Sequence, residues 1–377
     1  MLVDFQPVEK AFADAVDQGV FPGAVLLVGR ADEVVYERAF GSRSLVPERS
    51  PMHAGTIFDV ASLTKPLATS AAVMLLVREK KIRLSDRVTR FFPTFGVFGK
   101  NGATVRQLLN HSAGLAAWKP FYEDIVKAEK AGRINFVASR AAHHYALEQI
   151  HHDHPASPPG TRAVYSDLGY MVLGQVVEAI AGSSLDRFCQ DKIFKPLGMH
   201  STAFVDLAQI RTKRLQPIAA MIAPTENCPW RKKILCGEVH DDNAYAMGGV
   251  AGHAGLFSCA RDIHLLVATL SRCLHGQDAF WPQTLVGEFC KKDEAVKDST
   301  YALGWDTPSS AKSTSGNYFS PRSVGHLGFT GTSLWWDQEK DCHIILLSNR
   351  IHPTRKNEKI RDFRPYIHDL IMKALHP

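Results

Sequence analysis

A serine and a lysine stand three residues apart in the stretch FDVASLTKPLATSAAVMLL, which runs from Phe58 to Leu76. Pro66 has no backbone N–H, so a helix here must begin within about four residues before it. Residues i and i+3 are neighbours on a helix, which would place Lys65 beside Ser62. A serine hydroxyl becomes an effective nucleophile when a base takes its proton and donors stabilise the oxyanion. The spacing therefore indicates an activated serine, although an N-cap serine followed by a solvated lysine has the same pattern.

Two later stretches could complete such a site. Tyr165 lies in AVYSDLGY, where a loop rich in proline and glycine passes into a helical pattern. Its hydroxyl, if held near Lys65, could carry the proton of Ser62 to a leaving group, although an aromatic residue at such a junction usually serves packing. His326 and Gly328 lie in GHLGFTGTSLWWD, just ahead of a predicted strand. The glycines there would let a substrate backbone lie close.

Together the three motifs resemble the penicillin-binding protein and serine β-lactamase superfamily, especially its class C-like branch of esterases and D-peptidases. The SxxK motif is Ser62 to Lys65, the family's Tyr-x-Asn element is similar to residues 165–167, and its Lys-Thr-Gly element is similar to residues 326–328. The resemblance covers nearly the whole chain, including TVRQLLNHSAGL, which is similar to a helix common in the family. It implies a β-lactamase/transpeptidase-like fold.

The resemblance also implies roles for the residues of these motifs. Ser62 would attack a carbonyl carbon, and Lys65 and Tyr165 would act as a coupled base and acid. Which of the two is the primary base stays open, because a coupled titration belongs to the pair. The backbone N–H groups of Ser62 and Phe329 would form the oxyanion hole. No cofactor and no metal ion are implied.

Two residues depart from the family pattern at the expected substrate-binding positions. Asp167 replaces an amide that would donate to substrate carbonyls, so a donor or a cation is expected to bind there instead. His326 replaces a permanently charged lysine with a group that titrates near pH 6.5 in model peptides, and it would bind a substrate carboxylate more weakly at neutral pH. Together with Gly328, both are predicted to contact the substrate. Both departures favour an esterase or peptidase over an efficient β-lactamase.

The stretch GEVHDDNAYAMGGVAGHAGLFS, residues 237–258, offers further candidates for substrate binding: His240, Asn243 and His253. A similar stretch recurs in the subset of the family that is linked to cell-wall fragments. The alternative is a tight glycine loop with hydrogen-bonded polar residues. The histidine cluster HHDH lies within residues 145–162, which predict a loop without the spacing of zinc ligands.

The elements that must position these residues lie at both ends of the chain. GAVLLVGR and VVYERAFG predict one hairpin, and TSLWWDQ and CHIILLSN predict another. Helical periodicity precedes the first hairpin and follows the second, and the middle is mostly helical. We therefore predict an α/β (α+β) fold with an antiparallel sheet built from both termini, flanking helices and a large helical insertion. Residues 1–55 with 320–377 would form a sheet lobe, residues 56–319 a mostly helical lobe, and the site would lie between them.

The composition excludes several classes of function. The net charge of +6 is mild and the longest basic run is the RKK at 231–233, so nucleic acid is not an expected partner. The apolar runs are too short to cross a bilayer, so no membrane partner is expected. Seven cysteines without a CxxC pair favour reduced thiols. The N-terminus lacks a signal-peptide pattern, which predicts a cytoplasmic location, with earlier removal of an export leader left open.

These observations predict a serine hydrolase that forms an acyl-enzyme on Ser62. The expected substrates are small esters or D-amino-acid amides, including peptidoglycan fragments. Two alternatives use the same fold. One is an acyltransferase with an alcohol or amine acceptor, and the other is a catalytically silent ligand-binding or sensor protein. The oligomeric state is left open.

Overall fold

The computed structural model describes residues 3–376. Its strands are β1 (Gly23–Arg30), β2 (Glu33–Ser44), β3 (Ser50–Pro51), β4 (Phe58–Asp59), β5 (Ala203–Phe204), β6 (Asn227–Cys228), β7 (Lys233–Ile234), β8 (Leu256–Ser258), β9 (Ser323–Leu327), β10 (Ser333–Asp337) and β11 (Cys342–Ser348). Its α-helices are α1 (Gln6–Asp17), α2 (Ala71–Arg78), α3 (Val105–Leu109), α4 (Phe121–Lys130), α5 (Arg140–His152), α6 (Asp167–Ala181), α7 (Leu185–Cys189), α8 (Leu207–Arg211), α9 (Asp242–Ala246), α10 (Ala260–Leu274), α11 (Gln283–Phe289) and α12 (Ile360–Leu375).

The main sheet joins the two ends of the chain. Its six strands lie in the order β3-β2-β1-β11-β10-β9, and every neighbouring pair is antiparallel. At its centre β1 pairs with β11, from Ala24 opposite Ser348 to Arg30 opposite Cys342. Both predicted hairpins are present, as β1–β2 and β10–β11. The predicted antiparallel sheet built from both termini is confirmed, and its strands all fall within residues 23–51 and 323–348.

The sheet is buried on both faces, which explains why β1 is a continuous apolar run. Successive side chains of a strand point to opposite faces. Leu26 packs with α1 and α12 on one face, whereas Leu27 packs with the helical region on the other. The adjacent Trp335 and Trp336 are both buried. Trp335 packs on the face of the two terminal helices, and Trp336 packs on the face of the helical region. The sheet therefore lies between the two terminal helices and the helical middle of the chain.

One predicted loop is partly helical. Helix α5 runs to His152 and so extends into residues 145–162. Ser139 caps its first turn by accepting a hydrogen bond from the Ala142 N–H at 3.1 Å. The helix buries histidines among its apolar residues, and the buried ring of His151 contacts Gln175 at 2.9 Å. Histidines occupy buried positions where an amphipathic helix usually has apolar residues. The helical period is therefore not visible in the sequence, and the sequence pattern predicts a loop for this segment.

One bent pair of helices, 167–181 with 185–194, has the length and apolar composition of a membrane span and no other feature of one. No single helix within residues 3–376 is long and apolar enough to cross a membrane. The same residues hold no cluster of three or more His, Cys, Asp or Glu side chains that could bind a metal ion. All seven cysteines are unpaired thiols.

The two-sided burial of β1 leads to a prediction about stability. Leu26→Ala should lower the free energy of unfolding by about 2–5 kcal/mol, because it removes buried methyl groups and leaves a cavity. Val35→Ala on the neighbouring strand is the control, since Val35 is 38% exposed and its truncation should cost about 0.5 kcal/mol. Urea unfolding of both variants measures the difference. Equal losses would contradict the assignment of Leu26 to the core.

Candidate active site

Ser62 lies directly after β4, on a 3₁₀ turn formed by Ala61–Leu63. Ala61 has a φ of +48°, a left-handed conformation that is unfavourable for a residue with a Cβ atom. The buried Asp59 carboxylate holds this turn, because Oδ1 accepts from the Ala61 N–H at 2.9 Å and Oδ2 accepts from the His240 N–H at 2.7 Å. The sharp turn presents the half-buried Ser62 to a cleft of about 620 Å³.

Lys65 is buried beneath Ser62 and is held as an ammonium ion. Its Nζ donates to Ser62 Oγ at 2.9 Å, to Asp167 Oδ1 at 2.7 Å and to the His253 carbonyl at 3.1 Å. An ammonium group has three N–H donors and no acceptor, so these three bonds satisfy it fully. Burial opposes the charge most strongly, but the Asp167 carboxylate and the Tyr165 side chain together raise the pKa of Lys65.

Tyr165 lies beside this pair, as the sequence motif predicted. Its ring centroid is 4.8 Å from Lys65 Nζ. Burial raises the pKa of the Tyr165 phenol, and the positive charge of Lys65 opposes that rise. The ring packs against His111 at 4.7 Å and against His326 at 5.9 Å between centroids. The phenol is therefore neutral in this state and close to the charged Lys65.

His111 is a site residue that the sequence analysis did not single out. It follows α3 with a φ of +60°, and its Nδ1 accepts from the Ser166 N–H at 3.0 Å. Burial and the nearby Lys65 hold its pKa well below the usual value, so the imidazole is neutral. The only signal in the sequence was the NHSAGL stretch, in which nothing marks the histidine as a neighbour of Tyr165.

The turn after β9 carries the second predicted oxyanion donor. A Cβ atom at Gly328 would lie 2.0 Å from Thr332 Oγ1 and 2.5 Å from the Val60 carbonyl, so only glycine fits. Thr332 Oγ1 donates to the Val60 carbonyl at 3.1 Å, and Thr330 Oγ1 donates to the Asp59 carbonyl at 2.7 Å. These bonds tie the turn to the segment that leads into Ser62.

The backbone N–H groups of Ser62 and Phe329 are both available to a ligand. Within residues 3–376 neither of them donates a hydrogen bond to another group. Both residues line the cleft, and Phe329 is 51% exposed. Two free N–H donors beside a nucleophile are the arrangement that stabilises a developing oxyanion.

His326 lines the cleft, but it does not carry the titratable charge that was expected. Its Nδ1 lies 2.9 Å from the Leu327 carbonyl, which can only accept, so Nδ1 bears the proton and Nε2 is an acceptor. Burial, together with the charge of Lys65, lowers the pKa of His326 to about 3. The pKa of His326 therefore lies below the value near 6.5 that model peptides suggest, and the imidazole is neutral at neutral pH.

The glycine-rich stretch contributes one wall residue and two supporting residues. His240 lines the cleft, where its ring stacks on that of Phe329 at 5.6 Å between centroids. Asn243 is fully buried and binds the backbone of residues 119 and 122. His253 is buried with its Nε2 3.0 Å from Asp241 Oδ1. The prediction that Asn243 and His253 contact the substrate directly is corrected, since neither of them lines the cleft.

The cleft thus brings together most of the predicted residues and several that the sequence did not indicate. The predicted residues along its wall are Ser62, Tyr165, Asp167, His240, His326, Gly328 and Phe329. Those found only in the structure include Trp118, Tyr301, Asp306, Arg350, Arg355 and Arg364. Trp118 and Phe329 are both about half exposed, which gives the cleft an aromatic rim.

The neutral imidazole of His326 leads to a pH prediction. Its folded-state pKa lies below that of the unfolded chain, so its contribution to stability is present above about pH 6.5 and is lost as the pH falls toward 3. NMR titration should show no protonation of His326 between pH 8 and 5, with His326→Gln identifying the resonance. Between pH 7 and 5 the wild type should lose about 1–2 kcal/mol more unfolding free energy than this variant. A midpoint near 6.5 would contradict the assignment.

Comparison with known proteins agrees with the predicted fold and family. The Beta-lactamase family model matches residues 8–365. A protein of Escherichia coli K12 provisionally named D-alanyl-D-alanine carboxypeptidase is 33% identical over 370 residues, covering 91% of this chain and 82% of that protein. Among solved structures, the octameric penicillin-binding protein homologue from Pyrococcus abyssi has a TM-score of 0.73 at 20% identity, covering 98% of this chain and 78% of that one.

A second solved structure, of the hydrolase EstCE1 with promiscuous acyltransferase activity, has a TM-score of 0.71 at 21% identity and covers 95% of this chain and 97% of that one. At these identities the solved structures show the fold alone. The family match extends over nearly the whole chain, and the Escherichia coli relative is similar over most of its length. The chain belongs to the Beta-lactamase family.

Proposed function

We propose that this protein is a serine hydrolase that forms an acyl-enzyme on Ser62. The observation that carries the proposal is the position of Lys65 Nζ, 2.9 Å from Ser62 Oγ at the floor of an open cleft. Tyr165 and the free N–H groups of Ser62 and Phe329 supply the other parts that acyl transfer requires. A sensor protein would need a ligand pocket but not this arrangement.

The reaction consists of two acyl transfers. Ser62 Oγ adds to the carbonyl carbon, its proton passes to the Lys65–Tyr165 pair, and the carbonyl electron pair moves to the oxygen between the two N–H donors. The Lys65–Tyr165 pair then returns a proton to the leaving group as the C–N or C–O bond breaks. Water adds to the acyl-enzyme by the reverse route, which releases a carboxylic acid and restores the Ser62 hydroxyl.

The resting charge state limits the first step. Lys65 holds three protons on Nζ and so cannot accept the proton of Ser62 until it has lost one. Asp167 stabilises the charged form from 2.7 Å. The active form of the Lys65–Tyr165 pair therefore becomes more populated as the pH rises.

The proposed substrates are D-amino-acid amides and small esters. The name given to the Escherichia coli relative supports the amides. Among these amides we include peptides derived from peptidoglycan. The neutral His326 offers no cation to a substrate carboxylate, which supports an esterase, or an amidase that acts on uncharged amides, over an efficient β-lactamase. Transfer to an alcohol acceptor stays the alternative, and the ratio of acid to new ester formed with added acceptor tests it.

The nucleophile is tested directly by substitution. Ser62→Ala should lower ester hydrolysis by about three or more orders of magnitude, because no other group can form the acyl-enzyme. Ser70→Ala is the matched control: Ser70 lies on the helical segment Lys65–Ser70 that follows the Ser62 turn, and its hydroxyl contacts Tyr170 at 3.2 Å instead. Intact mass after treatment with a fluorophosphonate should show one adduct, on Ser62, in wild type and control. Wild-type turnover by Ser62→Ala would contradict the proposal.

The ion pair between Lys65 and Asp167 leads to a prediction about the pH–rate profile. Asp167→Asn removes the carboxylate that raises the pKa of Lys65, so the rising limb of kcat/KM should move to lower pH. Asp306→Asn is the control, because Asp306 lines the same cleft but makes no ion pair with Lys65. The profile is measured on an uncharged ester. An unmoved limb, or an inactive Asp167→Asn enzyme, would show that the carboxylate has a different role.

A further inference from the structure

Two arginines from the C-terminal part of the chain hold the turn that carries Phe329. Arg364, on α12, donates from Nη2 to the Gly328 carbonyl at 3.2 Å and to the Thr332 carbonyl at 3.0 Å. Arg350, which follows β11, donates to the Phe329 carbonyl from Nε at 3.0 Å and from Nη2 at 2.5 Å. Two consecutive carbonyls of the turn thus each accept from a guanidinium group.

Because the peptide bond is planar, bonds that fix the Gly328 carbonyl also fix the direction of the Phe329 N–H. The Gly328 carbonyl and the Phe329 N–H belong to one trans peptide, so they point in opposite directions. Arg364 and the Gly331 N–H, at 3.1 Å, fix the carbonyl end of that plane. The N–H end is then fixed as well, although it makes no bond of its own within residues 3–376.

Among the described residues, these two arginines lack a directly bonded counterion, although the charge of Glu358 lies near enough to Arg350 to oppose the fall in its pKa that burial causes. Both are buried, at 8% and 7% exposure, and within residues 3–376 neither forms an ion pair. Nearby Arg355, by contrast, pairs with the Glu226 carboxylate at 2.5 Å. Burial, with the charge of Arg350 added, lowers the pKa of Arg364 to about 9, and its Nε has no hydrogen-bond partner in the described part of the chain. A buried charge without a counterion costs stability, whereas neutral donors could brace the same carbonyls.

We propose that Arg364, assisted by Arg350, is a positioning residue that aims and polarises the Phe329 N–H toward the reacting carbonyl oxygen. A cation bound to the carbonyl end of a peptide strengthens the donor at its other end, since hydrogen bonds in a chain polarise one another. The two unpaired positive charges also favour negative charge on the far side of the turn. This inference rests on the proposed function, because it concerns the same oxyanion.

The test compares four variants on one uncharged ester and on its thionoester, in which sulfur replaces the carbonyl oxygen. Arg364→Met removes the positive charge and the hydrogen-bond donors. Arg364→Lys keeps the positive charge and an N–H donor but loses the planar guanidinium group. Arg350→Lys tests the assisting residue. His368→Gln is the matched control, since His368 is fully buried one turn later on α12 and contacts the Thr314 carbonyl instead.

Arg364→Met should lower kcat for the ester by about 10- to 100-fold with little change in KM, which is less than the complete loss of an oxyanion donor. Sulfur accepts hydrogen bonds weakly, so a misaligned N–H should harm the ester more than the thionoester. The ester-to-thionoester ratio of kcat should therefore fall by about tenfold in Arg364→Met and by less in Arg364→Lys. His368→Gln should lower the melting temperature without moving this ratio.

Three outcomes would overturn the inference: a wild-type ratio in Arg364→Met, an equal fall of the ratio in His368→Gln, or a rise in KM that alone explains the lost activity. If Arg364→Met does not fold, the ester-to-thionoester ratio of kcat is measured in Arg364→Lys and Arg350→Lys instead. Wild-type ratios in both of these variants would contradict the inference. Failure of the proposed function is recognised separately. In that case the wild type itself would neither form a fluorophosphonate adduct on Ser62 nor hydrolyse the ester.

Discussion

The buried ammonium group of Lys65 is the interaction on which the site depends. A charge without access to water must be fully hydrogen-bonded, and its three acceptors come from separate parts of the chain. Ser62 stands on the turn after β4, Asp167 begins α6, and the His253 carbonyl lies in the glycine-rich stretch. Removing any of the three would leave a buried donor unpaired. The same bonds therefore assemble the helical region and place the charge beside the nucleophile.

A second set of buried bonds joins this region to the sheet. Thr330 and Thr332, in the turn between β9 and β10, donate to the carbonyls of Asp59 and Val60 just before Ser62. The Asp59 side chain in turn holds the strained turn at Ala61. The two predicted oxyanion donors thus stand on segments that are bonded to each other, although one comes from the sheet and the other from the helical region. Their relative position is fixed by short, direct contacts.

The sequence was informative where the structure depends on local spacing. Periods of two and 3.6 residues predicted both hairpins and the terminal helices, and the i, i+3 spacing predicted the approach of Lys65 to Ser62. The sequence was not informative where the surroundings of a side chain determine its charge or its contacts. Nothing local shows that burial beside Lys65 keeps His326 neutral, that His111 packs against Tyr165, or that Arg364 reaches the cleft from a distant segment. Asn243 and His253 had suitable side chains for binding, but their neighbours use those groups for support.

The distribution of charge around the cleft connects these departures to catalysis. The strand position that carries a lysine in the family pattern holds a neutral imidazole here, and the charge of Lys65 is balanced by Asp167. Arg350 and Arg364 form no ion pair within residues 3–376, and they bond to the carbonyls of the turn that carries the Phe329 N–H. A cation at the substrate's carboxylate would strengthen binding of the ground state and the transition state alike, whereas charge directed at the oxyanion acts as negative charge develops. On the proposed function, this arrangement uses electrostatics to accelerate acyl transfer more than to select anionic substrates.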